Sequence, residues 1–259
     1  MKIATWNVNS VKARIDAVLG WLKEASPDIV GFQELKCVDE AFPRLEIEAL
    51  GYNVETFGQK TYNGVAILSK HPIEDVTRGL PGFDDAQSRY IEAVIAPKGQ
   101  RPVRFCCLYL PNGNPVASEK YPYKLSWMEA LQARVETLLP LEESLIVAGD
   151  YNVIPGPDDV HDPAAWARDA LFLPTTRAAY RRLENLGLTD AVRACNALPG
   201  QYTFWDYQAG AWPKNNGIRI DHLLLSAQAA DRLTGAGIDR HVRSWDKASD
   251  HVPAWCTLN

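Results

Sequence analysis

The stretch YIEAVIAPKGQRPVRFCCLYL, residues 90–110, decides the fold. It holds two apolar runs rich in β-branched and aromatic residues, 90–96 and 103–110, joined by APKGQRP (96–102). That Pro- and Gly-bearing connection is too short for the helical crossover that parallel neighbours need, so the pair reads as a hairpin. TYNG (61–64) joins NVETF (53–57) to GVAILS (64–69) in the same way. Further strand-like runs lie at 2–8, 28–33, 144–151, 218–226 and 252–258. Helical spacing falls between them. Val11, Ile15, Val18, Leu19 and Leu22 follow the capping candidate Ser10, and Leu125, Met128, Leu131, Val135 and Leu138 mark a helix over 121–139. A third helix is expected over 175–195, with a C-cap-like Gly187. Interleaved strands and helices together with hairpins exclude a purely parallel doubly wound sheet. The expectation is an α/β fold of two mixed sheets packed face to face with helices outside. No linker, low-complexity tract or short-period repeat divides residues 1–259, so one domain is expected, with PGPDDVHDPAAW (155–166) as a long functional loop.

Composition narrows the function. Lys plus Arg number 27 against 32 for Asp plus Glu, a net charge of −5, which argues against coating nucleic acid by bulk charge. A local basic groove beside an acidic centre remains compatible with that balance, and such a centre suits a hard divalent cation. Eight Trp supply core volume and stacking surface for bases or sugars. Five cysteines form no C-x-x-C pair, and Cys106-Cys107 read as small buried hydrophobes, which implies a reduced, cytoplasmic setting. The start MKIATWNVNS has no apolar h-region, and no stretch approaches the length of a membrane span.

Polar residues interrupt the strand runs at their ends. Strand 2–8 runs into Asn7 and Asn9, strand 28–33 into Glu34, and strand 103–110 carries Tyr109. Strand 144–151 delivers Asp150 and then Asn152, while Asp221 and the Asp250-His251 pair stand where the last long strands begin. Singly, each reads as turn chemistry. If the last two strands run against the earlier ones, however, all these groups converge on one rim. Asp221, flanked by Ile220 and Leu223-Leu224-Leu225, needs a partner if buried, and as an orienting acid it makes His251 a plausible base. Glu34, Asp150, Asp250 and the asparagines are oxygen ligands suited to Mg²⁺ or Mn²⁺, with no Cys–His cluster for zinc. A metal and an Asp–His couple can drive water attack on a phosphodiester. No P-loop, dinucleotide fingerprint or G-x-S-x-G elbow is present.

WNVNS (6–10), QELK (33–36), YLPNG (109–113), GDYN (149–152), GIRIDHLL (217–224) and SDHVP (249–253) occur in an order and spacing that resembles the exonuclease III branch of AP endonucleases, within the endonuclease/exonuclease/phosphatase superfamily. The resemblance implies a four-layer α/β sandwich and Mg²⁺ dependence, with Mn²⁺ as a substitute. It also implies a monomer that incises duplex DNA 5′ of abasic sites and processes blocked 3′ ends as a 3′→5′ exonuclease and 3′-phosphatase. Carried over, Glu34 is the principal metal ligand with Asn7 beside it, and Asp250 supports a second or alternative metal position. Asp150 orients or deprotonates the water, Asn152 holds the scissile phosphate, and Tyr109 contacts that phosphate or the leaving oxygen. Asp221 bonds to His251, which acts as base or as ligand. The metal set so implied is Asn7, Glu34, Asp150, Asn152, Asp250 and His251.

Selectivity for a base-free sugar needs a tight apolar slot. Phe204 and Trp205 of TFWDY (203–207), with Ile218 and Ile220, are its expected walls. For the DNA backbone, Asn112 of YLPNG and Lys120, Tyr121 and Lys124 of EKYPYKLSW are the expected contacts, and Arg177, Arg181, Arg182, Lys214 and Arg219 are further basic candidates. The competing reading is a DNase I-like nuclease, or another phosphodiesterase of the superfamily, without abasic preference.

Overall fold

The computed structural model describes residues 1–99 and 101–259. In chain order the strands are β1 (Lys2–Asn7), β2 (Ile29–Gln33), β3 (Asn53–Phe57), β4 (Val65–Ser69), β5 (Ile73–Arg78), β6 (Tyr90–Ile95), β7 (Val103–Tyr109), β8 (Ser144–Asp150), β9 (Thr189–Asp190), β10 (Asp221–Leu225), β11 (Leu233–Ile238) and β12 (Ala254–Leu258). They build two six-stranded sheets, ordered β11-β12-β1-β2-β4-β3 and β5-β6-β7-β8-β10-β9. β1–β2 and β7–β8 are parallel, while β12 runs against β1 and β10 against β8, so both sheets are mixed. The opening stretch forms the expected hairpin, with Tyr90 opposite Leu108 and Ile95 opposite Val103. Its connection passes through residue 100, which lies outside the described residues.

Side-chain alternation explains the layers. From β7, Val103, Phe105 and Cys107 point inward and meet Ile3, Ile29, Val65, Ile67 and Cys256 in the core between the sheets. Cys106 and Leu108 point the other way, beneath Trp127, Met128, Leu131 and Val135 of the helix Lys120–Leu138. The adjacent cysteines are therefore buried in different layers. On the far face of the first sheet, Ala4, Trp6, Val30 and Phe32 pack against Val18, Trp21 and Leu22 of the helix Ile15–Ala25. Helix, sheet, sheet and helix make the four-layer sandwich.

The strands absent from the sequence reading are β5, β9 and β11. Each is the last or first strand of its sheet, and β5 and β11 hold no fully buried position, so no continuous apolar run marks them. Two helix boundaries also differ. The first helix begins at Ile15 with no side-chain cap, because Ser10 sits at φ 83 in a preceding turn. The expected helix over 175–195 is two helices. Pro174–Asn185 ends before Gly187 at φ 99, and Ala191–Cys195 starts afresh where the Asp190 carboxylate accepts from Val192 N and Arg193 N.

Candidate active site

The carboxyl ends of β1, β2, β7 and β8 share one rim with the amino end of β10 and the approach to β12. Register fixes the neighbours: Asn7 lies opposite Gln33, Asp150 opposite Tyr109, and Asp221 opposite Asp150. Asn7 stands at the junction of the two sheets, fully buried, and its Nδ2 donates to Glu34 Oε1 at 2.8 Å and to Asp150 Oδ2 at 2.9 Å. Its Oδ1 accepts from Asn9 N at 3.0 Å.

Glu34, just past β2, has φ 54, and Asn152, just past β8, has φ 47. For a glutamate this left-handed backbone is uncommon, and strain of that kind collects at working sites. It turns the Glu34 carboxylate back over the rim, where Lys36 Nζ reaches Oε2 at 2.8 Å. Burial alone pushes this carboxyl up, but Lys36 and the Asn7 amide outweigh it and hold Glu34 below the usual range. Before Asp150 only glycine fits. A Cβ on Gly149 would lie 2.0 Å from Leu108 O, and its φ of 155 is one that side chains disfavour.

His251 Nδ1 meets Asp221 Oδ2 at 2.9 Å, and Nε2 lies 3.7 Å from Asp150 Oδ2. Asp221 Oδ1 is buried without a hydrogen-bond partner among the described residues. Burial pulls the imidazole down, but the facing carboxylates of Asp221 and Asp150 override it and push His251 up to about 10. Burial likewise pushes Asp150 up to about 7, against the pull of His251. The two act as a coupled acid–base pair, and Asp221 sets the imidazole's orientation.

Asn152 Nδ2 donates to Leu110 O at 2.9 Å, and its Oδ1 accepts from Asn112 Nδ2 at 3.1 Å. Tyr109 closes the other side, with the Arg89 guanidinium 4.7 Å over its ring. Burial, reinforced by the Glu34 and Asp150 charges, keeps the Tyr109 phenol well above its ordinary value, so it stays a proton donor. Asp250 stands beside the pair, and its Oδ1 accepts from Asn9 Nδ2 at 3.0 Å.

These groups face a hollow of about 300 Å³, part of whose wall is formed by Phe204, Ile218 and Ile220. Phe204 and Ile218 exchange backbone hydrogen bonds at 3.0 Å, and the Phe204 ring packs edge-on against His251 at 5.0 Å. Trp205 does not line it. As the next residue of an extended segment it faces the opposite way, fully buried against Trp212 at 4.9 Å, with its indole N–H on Asn215. Trp166, Leu171 and Asp169 line the hollow without having been singled out from sequence. They come from the 155–166 loop and its continuation, which Val160 and His161 tie to Ile218 and Gly217. An aromatic in a Pro/Asp-rich loop was the available signal.

The expected backbone contacts divide. Lys120 is exposed at a second hollow that contains Arg89 and shares Asn112 with the first. The Tyr121 hydroxyl is engaged with Thr176 Oγ1 at 2.9 Å. Lys124 is a correction: its side chain is 0 % exposed, and its Nζ donates to Pro111 O and Asn152 O, so it cannot reach a phosphate on the surface. Burial pulls this amine down to about 7. Arg219 is buried too, between Asp159 at 2.7 Å and Asp190 at 2.6 Å.

Ligand atoms of Glu34, Asp150 and His251 lie within 4.8 Å of one another. Two converging carboxylates are the donor chemistry of a hard divalent cation, and the site fits one, while Asn7 turns its Nδ2 rather than its Oδ1 towards them. Among the described residues no helix is long and apolar enough to cross a membrane.

Residues 4–251 match the model of the Endonuclease/Exonuclease/phosphatase family. The chain is 35% identical to exodeoxyribonuclease III of Haemophilus influenzae over 98% of both sequences. An AP endonuclease structure from Archaeoglobus fulgidus superposes with a TM-score of 0.95 at 36% identity, covering 100% of this chain and 99% of that one. A 3′-5′ exonuclease from Neisseria meningitidis gives 0.95 at 36% identity, with 100% of each chain covered. A 3′ phosphatase from Neisseria, solved with a product DNA hairpin, gives 0.95 at 35% identity, covering 100% and 99%. On these grounds the chain belongs to the endonuclease/exonuclease/phosphatase family, as a DNA-repair nuclease of the exodeoxyribonuclease III type.

Proposed function

We propose that this protein is a Mg²⁺-dependent phosphodiesterase, with Mn²⁺ as a substitute, that acts as a monomer through one domain spanning residues 1–259. It cuts duplex DNA 5′ of abasic sites and removes nucleotides and phosphates from blocked 3′ ends. The observation that carries the reading is the line Asp221–His251–Asp150, set beside Glu34 at the mouth of a hollow with aliphatic and aromatic walls. A base-free sugar can pack against the Phe204, Ile218 and Ile220 side chains, which offer no donor to a base edge, while the relatives' printed activities cover incision, exonuclease and phosphatase chemistry.

Glu34 and Asp150 would hold the cation, with Asn7 orienting both carboxylates through Nδ2 and Asp250 offering an alternative position, and a bound Mg²⁺ would supply charge neutralisation at the phosphate. Asn112 and Asn152 offer amides to the scissile phosphate. The Asp150–His251 pair takes the proton of the attacking water, and Asp221 fixes the imidazole by its Nδ1. Tyr109, kept protonated, donates towards charge developing on oxygen. Arg89 and Lys120 supply positive charge for the duplex backbone.

The direct test is a labelled duplex bearing a tetrahydrofuran abasic analogue, incubated with and without Mg²⁺ beside a matched intact duplex. The expected outcome is Mg²⁺-dependent cutting immediately 5′ of the analogue. Cutting of both duplexes at equal internal rates would leave a nuclease without abasic preference. Glu34→Ala is expected to weaken Mg²⁺ binding by at least about 10–100-fold, the loss seen when even outer-shell partners are removed. Titration calorimetry reads this directly, and wild-type affinity in that variant would remove Glu34 from the ligand set.

A further inference from the structure

The chain leaves the rungs of the β7–β8 ladder at Leu110, whose N–H still reaches Asp150 O at 2.8 Å. Beyond it the two strands part into loops that carry Asn112 and Asn152. Their carbonyls point away from any further ladder, and Asn152 in particular is turned by its φ of 47. Buried carbonyls need donors. One side chain, arriving from the helix Lys120–Leu138, answers both: Lys124 Nζ lies 2.9 Å from Pro111 O and 2.7 Å from Asn152 O.

The stem is as confined as the amine. A Cβ on Gly113 would come within 2.6 Å of Lys124 Cδ, and Gly113 itself adopts φ 91. Above this tie the two asparagine side chains are bonded to each other, Asn112 Nδ2 to Asn152 Oδ1 at 3.1 Å, and both line the hollow. Burying a lysine amine whose hydrogen-bond partners are neutral carbonyls is an unfavourable way to fill a core, even with the Asp150 and Asp169 charges in reach. An apolar side chain would fill the volume but leave both loops untied.

We propose that Lys124 is a positioning residue for phosphodiester hydrolysis, holding the Asn112 and Asn152 loops at one spacing so that both amides meet the phosphate together. This rests on the nuclease reading given above. Lys124 touches neither the hollow nor the metal-holding carboxylates, so it acts through the two asparagines.

Lys124→Met keeps the volume and removes the donors. The expected result is a kcat on the abasic duplex lowered about 100-fold, the scale of an ångström-sized misplacement. KM for the duplex and the Kd for Mg²⁺ alone should stay within about threefold, since Glu34 and Asp150 are untouched. Lys124→Arg, which still presents donors to both carbonyls, should restore kcat to within about tenfold of wild type. Retention of wild-type kcat in Lys124→Met would overturn the proposal. So would a parallel loss of kcat, Mg²⁺ affinity and unfolding midpoint that Lys124→Arg fails to rescue, since that pattern marks a residue that only holds the fold. If the wild-type protein cuts neither duplex, the nuclease reading fails separately, and backbone hydrogen exchange then judges the tie. Faster exchange over 112–114 and 151–153 in Lys124→Met supports it, and unchanged exchange overturns it.

Discussion

Asparagine in place of His251 is expected to lower kcat for phosphodiester hydrolysis by about 10³-fold, within the range a general acid–base group contributes. DNA affinity should be nearly unchanged. His251 is buried, so the loss cannot come from a surface contact with the duplex. Asn retains a donor that can face Asp221 Oδ2, which limits the penalty of leaving that buried carboxylate unpaired. What it cannot do is carry a proton between Asp150, 3.7 Å away, and the water. Asp221→Asn should be milder, because the imidazole keeps its place but loses the carboxylate that fixes Nδ1. The double variant should be no slower than His251→Asn alone, since groups acting as a unit lose their effect once. Single-turnover rates on the abasic duplex, with DNA affinity measured by anisotropy, separate these cases. Near-normal turnover in His251→Asn would remove the Asp221–His251 couple from the mechanism. A further multiplicative loss in the double variant would mean that Asp221 works independently of the imidazole.

The convergence of these residues was legible because their identities conflict with their positions. An acid at 221 amid Ile220 and Leu223 has no reason to be there unless something meets it. Antiparallel pairing of β10 with β8 and of β12 with β1 then brings the starts of late strands to the ends of early ones. Two kinds of feature were not legible. Edge strands β5 and β11 bury no continuous face, so they leave no apolar run to read. The orientation of single residues within a correctly read motif was also hidden. Phe204 and Trp205 are both aromatic, and only the bridge of Phe204 to Ile218 and His251 decides which one faces the hollow. Lys124 and Arg219 look like solvated basic residues, because the burial of a charge depends on carbonyls and carboxylates distant in the chain.

Arg219 carries the other large effect. Arg219→Met should lower stability by about 3–5 kcal/mol, the cost of breaking a buried ion pair from one side. At roughly 2–4 °C per kcal/mol for a chain of this size, the unfolding midpoint should drop by about 10 °C. The reason is that Asp159 and Asp190 are both buried and share this guanidinium, which also bonds to His222 Nδ1 at 3.0 Å, although Asp159 has a second partner in Arg193. Although burial pushes both carboxyls up, Arg219, with Arg193 at Asp159 and His222 at Asp190, holds them below the usual range. Carboxyls depressed in the folded state stabilise it above their unfolded pKa, and that contribution fades as pH falls through the folded values. The variant loses Arg219's share of it, so the difference in midpoint between wild type and variant should be widest near neutral pH and close below about pH 4. His222, pushed down to about 4 by burial and by Arg219, lies 4.0 Å from Asp190 and can take up a proton once Arg219 is gone, which trims the loss from neutral pH downwards. Activity should respond unevenly, because Arg219 sits between Ile218 and Ile220 and ties their segment to the 155–166 loop through Asp159. Loosening those walls should reduce incision at the abasic analogue more than removal of a 3′ phosphate, which needs no sugar in the slot. A gap in midpoint that stays constant from pH 7 to well below pH 4 would refute the ionic explanation, and equal losses in both activities would detach Arg219 from the selectivity of the hollow.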